Sequence, residues 1–246
     1  MKKNDKVLIT NDDGYDAQGI KVLKNVLKQY VNDVYTVAPS KNQSGSGRSI
    51  TLGSSIKFTK VSDFDWVVDG TPVDAMIFAL NNLFKENKPD YIFSGINSGS
   101  NIGDEISYSG TVGAAFEGAL RGIRSLAISQ SGSFQDKNDF TIAKKFMPYI
   151  LDNISKIFSS KNILFNVNFP SCKTHNVKKM MFTESSHQKL SDKLFLSPCG
   201  NSFEIGRMNI NDIQGLKTDF HAISNDYISI TPIAINLTCT KYPNFS

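Results

Sequence analysis

Asp12 and Asp13 stand side by side in the stretch VLITNDDG, Val7 to Gly14. Residues Val7 to Thr10 read as a buried strand, and Asn11, Asp12, Asp13 and Gly14 as the loop that leaves it. Adjacent carboxylates repel each other and are costly to hold together unless a cation or water neutralises them. A hard divalent metal with oxygen ligands is one neutraliser. A solvated turn is the plainer alternative, because Asn, Asp and Gly are common turn formers. The fragment by itself leaves both readings open.

Other segments offer matching oxygen atoms. The polar loop SKNQSGSGRS, Ser40 to Ser49, supplies Ser44, and SGINSGSN supplies Asn97. The triplet Ser109-Gly110-Thr111 directly precedes the small-residue helix VGAAFEGAL. Exposed N–H groups at a helix start, with a glycine allowing close approach, make an anion site. Taken singly these are weak signals, since Gly/Ser loops are mostly turns and SGT is an ordinary helix cap.

Their joint meaning depends on the elements that carry them. Ile20, Leu23, Val26, Leu27 and Tyr30 recur at helical spacing, so residues 17 to 30 read as an amphipathic helix. DVYTVAP (Asp33 to Pro39) reads as a strand stopped by proline, and IKFTKV and WVVDG as short strands. Thr71 and Pro72 open a helix over TPVDAMIFALNNLF. PDYIFSGIN, SLAIS (Ser125 to Ser129) and ILFNVNFP (Ile163 to Pro170) add strands, and residues 138 to 158 read as one long helix. Alternating strands and helices imply βαβ units and a mostly parallel α/β sheet. Loops after the strands Val7–Thr10, Val34–Ala38 and Tyr91–Phe93 then gather at one sheet edge, where such folds bind ligands. Asp12, Asp13, Ser44 and Asn97 become an all-oxygen set suited to magnesium, manganese or calcium. Zinc would be expected to recruit His or Cys, and none sits in these loops. Beside an anion site, such a metal points to phosphate-ester hydrolysis.

Beyond residue 170 the texture changes. KKMMFTE, KLFLS, FEIG and YISITPIAINL are β-like pieces that read as hairpins without helices between them. The expected division is a core over 1–170 and a β-hairpin-rich part over 171–246, with a soft boundary.

Composition narrows the class. The chain has 246 residues, 40% hydrophobic and 20% charged, which suits a globular protein with a substantial core. A net charge of +4 is too mild and too dispersed for a dedicated nucleic-acid binder, so no stable nucleic-acid binding is expected. Cys172, Cys199 and Cys239 are widely spaced and odd in number, reading as reduced thiols of a cytoplasmic protein. The MKKND start lacks a signal-peptide core, and no apolar run approaches the ~18 residues of a membrane span.

The blocks ITNDDG, APSKNQSGSGRSIT, GTPVDA, SGINSGSNIG, YSGTVGAAFEGAL and YISITP resemble, in order, the signature blocks of the SurE family of stationary-phase survival proteins. The resemblance implies a metal-dependent nucleoside monophosphate phosphatase, a 5′-nucleotidase that often also takes 3′-nucleotides and sometimes short polyphosphate. It implies one divalent cation per subunit, magnesium, manganese or similar, on Asp12, Asp13, Ser44 and Asn97. It further implies a three-layer Rossmann-like core with a β-rich carboxyl-terminal extension that exchanges elements within a homodimer or homotetramer. Asp12, Asp13 and Asn97 are the catalytic candidates; Asn11, Gly45, Asn101, Ser109, Gly110 and Thr111 are the candidates for phosphate and substrate contact. One region departs from the pattern: where family members usually carry several arginines, this chain reads FTESSHQK, with Glu184.

Several other signals are weighed down. Asp63-Phe64-Asp65 resembles a haloacid-dehalogenase DxD but lacks the apolar strand before it. There is no GxGxxG in the first turn and no GxSxG elbow, and His175, His187 and His221 all lie outside the core loops. Asp74, Asp104, Glu105 and Glu117 are read as structural or solvated, with Asp74 a possible support for the loops. A receiver-type phosphoacceptor also pairs acids after its first strand, but its middle strand ends in aspartate where this chain has Ser94, Gly95 and Asn97. A nucleotide sensor without turnover is the second rival.

Overall fold

A computed structural model describes residues 1–132, 139–158, 163–189, 191–206 and 216–238. The expected α/β architecture is present. Strand β1 (Lys6–Thr10) is central, and β2 (Asp33–Pro39) and β4 (Asp65–Val68) lie to one side of it. On the other side lie β5 (Tyr91–Ser98), β6 (Arg124–Gln130) and β7 (Ile163–Phe169). These six strands are parallel. The short β3 (Phe58–Lys60) closes one edge antiparallel to β4.

Helices cover both faces. Along β1, Val7 and Ile9 pack with the apolar stripe of α1 (Gln18–Leu27) and with α4 (Thr141–Asp152), while Leu8 packs against α2 (Pro72–Phe78). Alternating residues buried to opposite sides are what a doubly covered strand requires. Helix α3 (Gly110–Leu120) joins α2 on that second face. The long helix expected from 138 breaks at Asn153, whose side-chain amide donates to the Tyr149 carbonyl oxygen at 2.9 Å. A short α5 (Ile154–Ile157) follows, and residue 138 lies outside the described residues. The helix opened by Pro72 continues from Ala79 to Leu83 as a π-helix.

After β7 the structure departs from the hairpin expectation. Strands β8 (Met180–Phe182) and β11 (Ile228–Ala234) join the main sheet, β11 antiparallel to β7 and β8 beside it. Only β9 (Lys193–Leu196) and β10 (Phe203–Gly206) form a separate hairpin. A helix, α6 (Asp219–Ser224), also interrupts this part. The cause is non-local: Thr183 shares hydroxyl contacts with Ser229 at 2.7 Å and Thr231 at 2.8 Å, a buried polar seam that links distant segments.

The chain runs outward from β1 to β4, then returns to β5 on β1's other side. The crevice between the carboxyl ends of β1 and β5 is therefore the topological switch point. Strand β5 runs further than its apolar residues suggest. A register shift between Ser94 and Asn97 lets it continue to Ser98, so Asn97 lies in the strand and not in a loop. Gly95 makes that shift possible, because a Cβ there would lie 2.3 Å from the Ile128 carbonyl oxygen, and its φ is +142°. Gly95→Ala is expected to lower stability by about 2–3 kcal/mol, read as a clear drop in melting temperature. An unchanged melting temperature would contradict this packing.

Candidate active site

Asp12 leaves β1 into a buried position and is held there by α3. The Thr111 N–H donates to Asp12 Oδ2 at 3.1 Å, and the Thr111 hydroxyl donates to Oδ1. Gly110 must be glycine for this approach, since its Cβ would lie 2.9 Å from Asp12 Cβ and 2.7 Å from the Ser46 hydroxyl. Ser109 caps the helix, its Oγ accepting the Val112 N–H at 3.1 Å. The positive end of α3 is thus aimed at a carboxylate. Thr111 and Asp12 are committed to each other, and of the triplet it is Ser109 that lines open space.

Asp13 projects toward β5, where Oδ2 accepts the Ser98 N–H at 3.1 Å. Among the described residues neither Asp12 nor Asp13 has a lysine or arginine within ion-pair distance. Burial pushes Asp13 from 3.8 up to about 6, the neighbouring Asp12 charge adds to it, and the Ser98 N–H only partly opposes it. Burial also raises Asp12, in spite of its bonds from Thr111. Two acids held this way lack a positive partner.

Several of the predicted residues converge on a cavity of about 430 Å³ at the switch point, while Asn11, Asp13, Gly110 and Thr111 do not line it. Asp12, Ser44, Gly45, Asn97, Asn101 and Ser109 all line it. The Asn97 side-chain amide donates to the Gly99 carbonyl at 2.7 Å, which turns Oδ1 into the available acceptor. Ser44 is placed by its loop: Gln43 N–H donates to the Asp12 carbonyl at 2.7 Å, and Gly47 N–H to the Tyr108 carbonyl at 2.9 Å. The donor set is two carboxylates, a hydroxyl and an amide oxygen, which fits a hard divalent cation. Asn11 is placed differently. It is fully buried and does not line the cavity, with its amide on the Gly14 carbonyl at 2.8 Å.

Asp74, read from sequence as a support for the loops, and the candidate Asn101 hold this arrangement together with Asn166, Asn168 and Asp219, which the sequence reading did not name. Asp74 accepts the Thr51 N–H at 2.9 Å and the Thr51 hydroxyl at 2.7 Å, tying down the Ser44 loop while capping α2 through Thr71. Burial works against its charge, but the bonds from Thr51 and Thr71 hold its carboxyl below the ordinary value. Asn101 accepts on its carbonyl from Asn166 at 2.7 Å and Asn168 at 3.0 Å. Its own amide donates to the Ser129 hydroxyl at 2.8 Å. Asp219 of α6 accepts the N–H groups of Gly103 and Ser186, both at 2.9 Å. The polar pair in NVNF was the available signal for Asn166 and Asn168; Asp219 carried none.

Glu105, read from sequence as outside the site, lines the cavity and corrects that expectation. Its carboxylate accepts the Ser191 N–H at 2.8 Å and the Ser191 hydroxyl at 3.0 Å, so the segment before β9 is drawn over the cavity mouth. Tyr108, Lys189 and Ile205 also line it. The decoys stay away. Asp63 pairs with Lys60 and Asp65 with Lys24, and none of the three histidines lines the cavity. Cys172 and Cys199 are free thiols, and Cys239 lies outside the described residues.

A doubly wound parallel sheet with an acidic, oxygen-lined cavity at its switch point defines the class, an α/β protein with a polar cavity at the carboxyl edge of its sheet. The chain belongs to the SurE family: residues 7–192 match the family model described as Survival protein SurE. The 5′-nucleotidase SurE of Paramagnetospirillum magneticum is 36% identical over 95% of this chain and 91% of that protein. The 5′/3′-nucleotidase SurE of Wigglesworthia glossinidia brevipalpis is 38% identical over 97% of this chain and 94% of that protein. The crystal structure of the SurE protein from Aquifex aeolicus superposes with a TM-score of 0.83 at 32% identity, covering 95% of this chain and 94% of that one. Among the described residues no helix is long and apolar enough to cross a membrane.

The raised Asp13 pKa has a signed consequence. Between 3.8 and about 6 the folded state holds a proton that the unfolded chain has released, so this group's contribution to metal-free stability falls as pH rises through that window. A cation needs the ionised form. The melting-temperature gain from added Mn²⁺ is therefore expected to grow between pH 5 and pH 7.5. Asp13→Asn is expected to raise the metal-free melting temperature at pH 7.5 by about 2–4 °C and to remove the Mn²⁺ gain. Differential scanning fluorimetry across pH checks both; a gain independent of pH would contradict the pairing.

Proposed function

We propose that this chain is a metal-dependent phosphatase that hydrolyses nucleoside 5′-monophosphates to nucleoside and phosphate, with 3′-nucleotides and short polyphosphate as further substrates. The observation that carries the reading is the adjacent carboxylates of Asp12 and Asp13, neither with a cationic partner among the described residues, with Asp12 lining a cavity that Ser44, Asn97 and Ser109 also line. The nucleotidase names of the relatives support the same activity.

One divalent cation per subunit, magnesium, manganese or similar, would be held by Asp12, Asp13, Ser44 and Asn97. When bound, it would polarise the phosphoryl group and acidify a water. The chain's own residues supply the rest. Thr111 fixes the Asp12 carboxylate in one orientation, so little reorganisation accompanies the reaction. The Ser109 hydroxyl oxygen already accepts from Val112, which leaves its proton free to donate to a phosphate oxygen. Gly45 and Asn101 flank the substrate within the cavity, while Gly110 and Thr111 position Asp12 and Asn11 braces its loop through the Gly14 carbonyl. An aspartate of the pair accepts the proton of the attacking water.

Residues 171–246 are proposed to build a homodimer or homotetramer. The hairpin β9–β10 supports this, because Leu194, Phe195, Leu196 and Phe203 are all between 48% and 68% exposed. So much apolar surface on one small element marks an interaction face. The free thiols fit the reduced cytoplasm as the compartment. The receiver-type alternative is not favoured, since the β5 end presents Asn97 where a phosphoacceptor aspartate would stand.

Asp12→Asn is expected to cut phosphate release from AMP by about 10²-fold or more while circular dichroism stays unchanged, and EDTA is expected to abolish release by the unmodified protein. A near wild-type rate for the variant would overturn the assignment. Leu196→Asp is expected to shift the protein to smaller species in light scattering; an unchanged mass would contradict the hairpin interface.

A further inference from the structure

The cavity lining is chemically mixed. Asp12, Ser44, Asn97 and Ser109 form the polar lining described above. Tyr108 and Ile205 line the same space, and both are exposed, at 49% and 67%. Tyr108 immediately precedes the helix cap Ser109, so its ring stands one residue from the proposed phosphate contact. Nothing in the core needs this ring. Its backbone serves instead, the carbonyl accepting Gly47 N–H at 2.9 Å. An exposed aromatic face beside a phosphate site is a surface on which a flat ring can stack.

We propose that Tyr108 and Ile205 form the nucleobase subsite, with the base stacked on the Tyr108 ring while its phosphate lies against Ser109. This rests on the phosphatase reading and adds to it the part of the substrate that does not react. The Lys189 ammonium stands 5.6 Å from the ring centroid and bonds Asp192 at 2.9 Å, so it borders the ring without being locked onto it. Ring stacking uses the π-face common to all bases and reads no hydrogen-bonding edge. The subsite therefore favours nucleotides over base-free phosphate esters and purines over pyrimidines, with little discrimination between adenine and guanine. Ile205 lies on β10 and the Glu105–Ser191 bonds hold the segment before β9 against the cavity, so the β9–β10 arm contributes to the lining.

The test compares kcat/KM for AMP and for ribose 5-phosphate under one saturating concentration of Mn²⁺. The unmodified protein is expected to prefer AMP about tenfold or more. Tyr108→Ala is expected to bring that ratio close to one, chiefly through a higher KM for AMP, while Tyr108→Phe keeps it. Equal rates on both esters by the unmodified protein, or an unaltered ratio in Tyr108→Ala, would overturn the base subsite and leave the phosphatase reading standing. Hydrolysis of neither ester by the unmodified protein would overturn both.

Discussion

Two carboxylates held side by side at the end of the central strand are an electrostatic expense that organises everything around them. Charge-assisted hydrogen bonds are worth roughly 1.5–3 kcal/mol each, and a helix start adds about 0.3–1 kcal/mol. Thr111 supplies two such bonds to Asp12 and α3 supplies the dipole. Burial still outweighs them, because the Asp12 pKa is raised overall and Asp13 is carried to about 6. The protein therefore orients its acids without neutralising them. That unfinished compensation is what a divalent cation would complete.

The other buried acids around the site behave in the opposite way. Asp74 is surrounded by donors from Thr51 and Thr71, and Asp219 by the N–H groups of Gly103, Ser186 and Phe220. Each ties one loop to the framework: Asp74 the loop that carries Ser44, Asp219 the loop that carries Asn101. Glu105 does the same for the segment leading into β9. The division follows from the donors. The bonds around Asp74 outweigh its burial and favour its charge, whereas burial outweighs the bonds at Asp12 and Asp13, and that pair is left for chemistry.

How much of this was legible in the sequence depended on the range of the interaction. The parallel core followed from local periodicity, and the parallel arrangement then placed Asp12, Ser44, Asn97 and Ser109 at one edge without further information. What periodicity could not show were contacts between distant segments. Strand β11 pairs with β7 across some 60 residues, and its polar Ser229 and Thr231 are satisfied by Thr183, so a local reading took it for a hairpin arm. Glu105 looked like a solvated acid because its partner Ser191 lies 86 positions away. The extension of β5 through its irregularity was hidden for a related reason. Gly95 reads as a strand end, and only the neighbouring Ile128 carbonyl explains why glycine is needed within the strand.

The account turns on where a hard cation sits. Anomalous diffraction from crystals grown with Mn²⁺ tests this most directly. The expected result is a single anomalous peak per subunit at the switch point between β1 and β5, bounded by the carboxylates of Asp12 and Asp13, Ser44 Oγ and Asn97 Oδ1. A peak elsewhere in the chain, or none at a concentration that saturates Mn²⁺-dependent phosphate release, would contradict it.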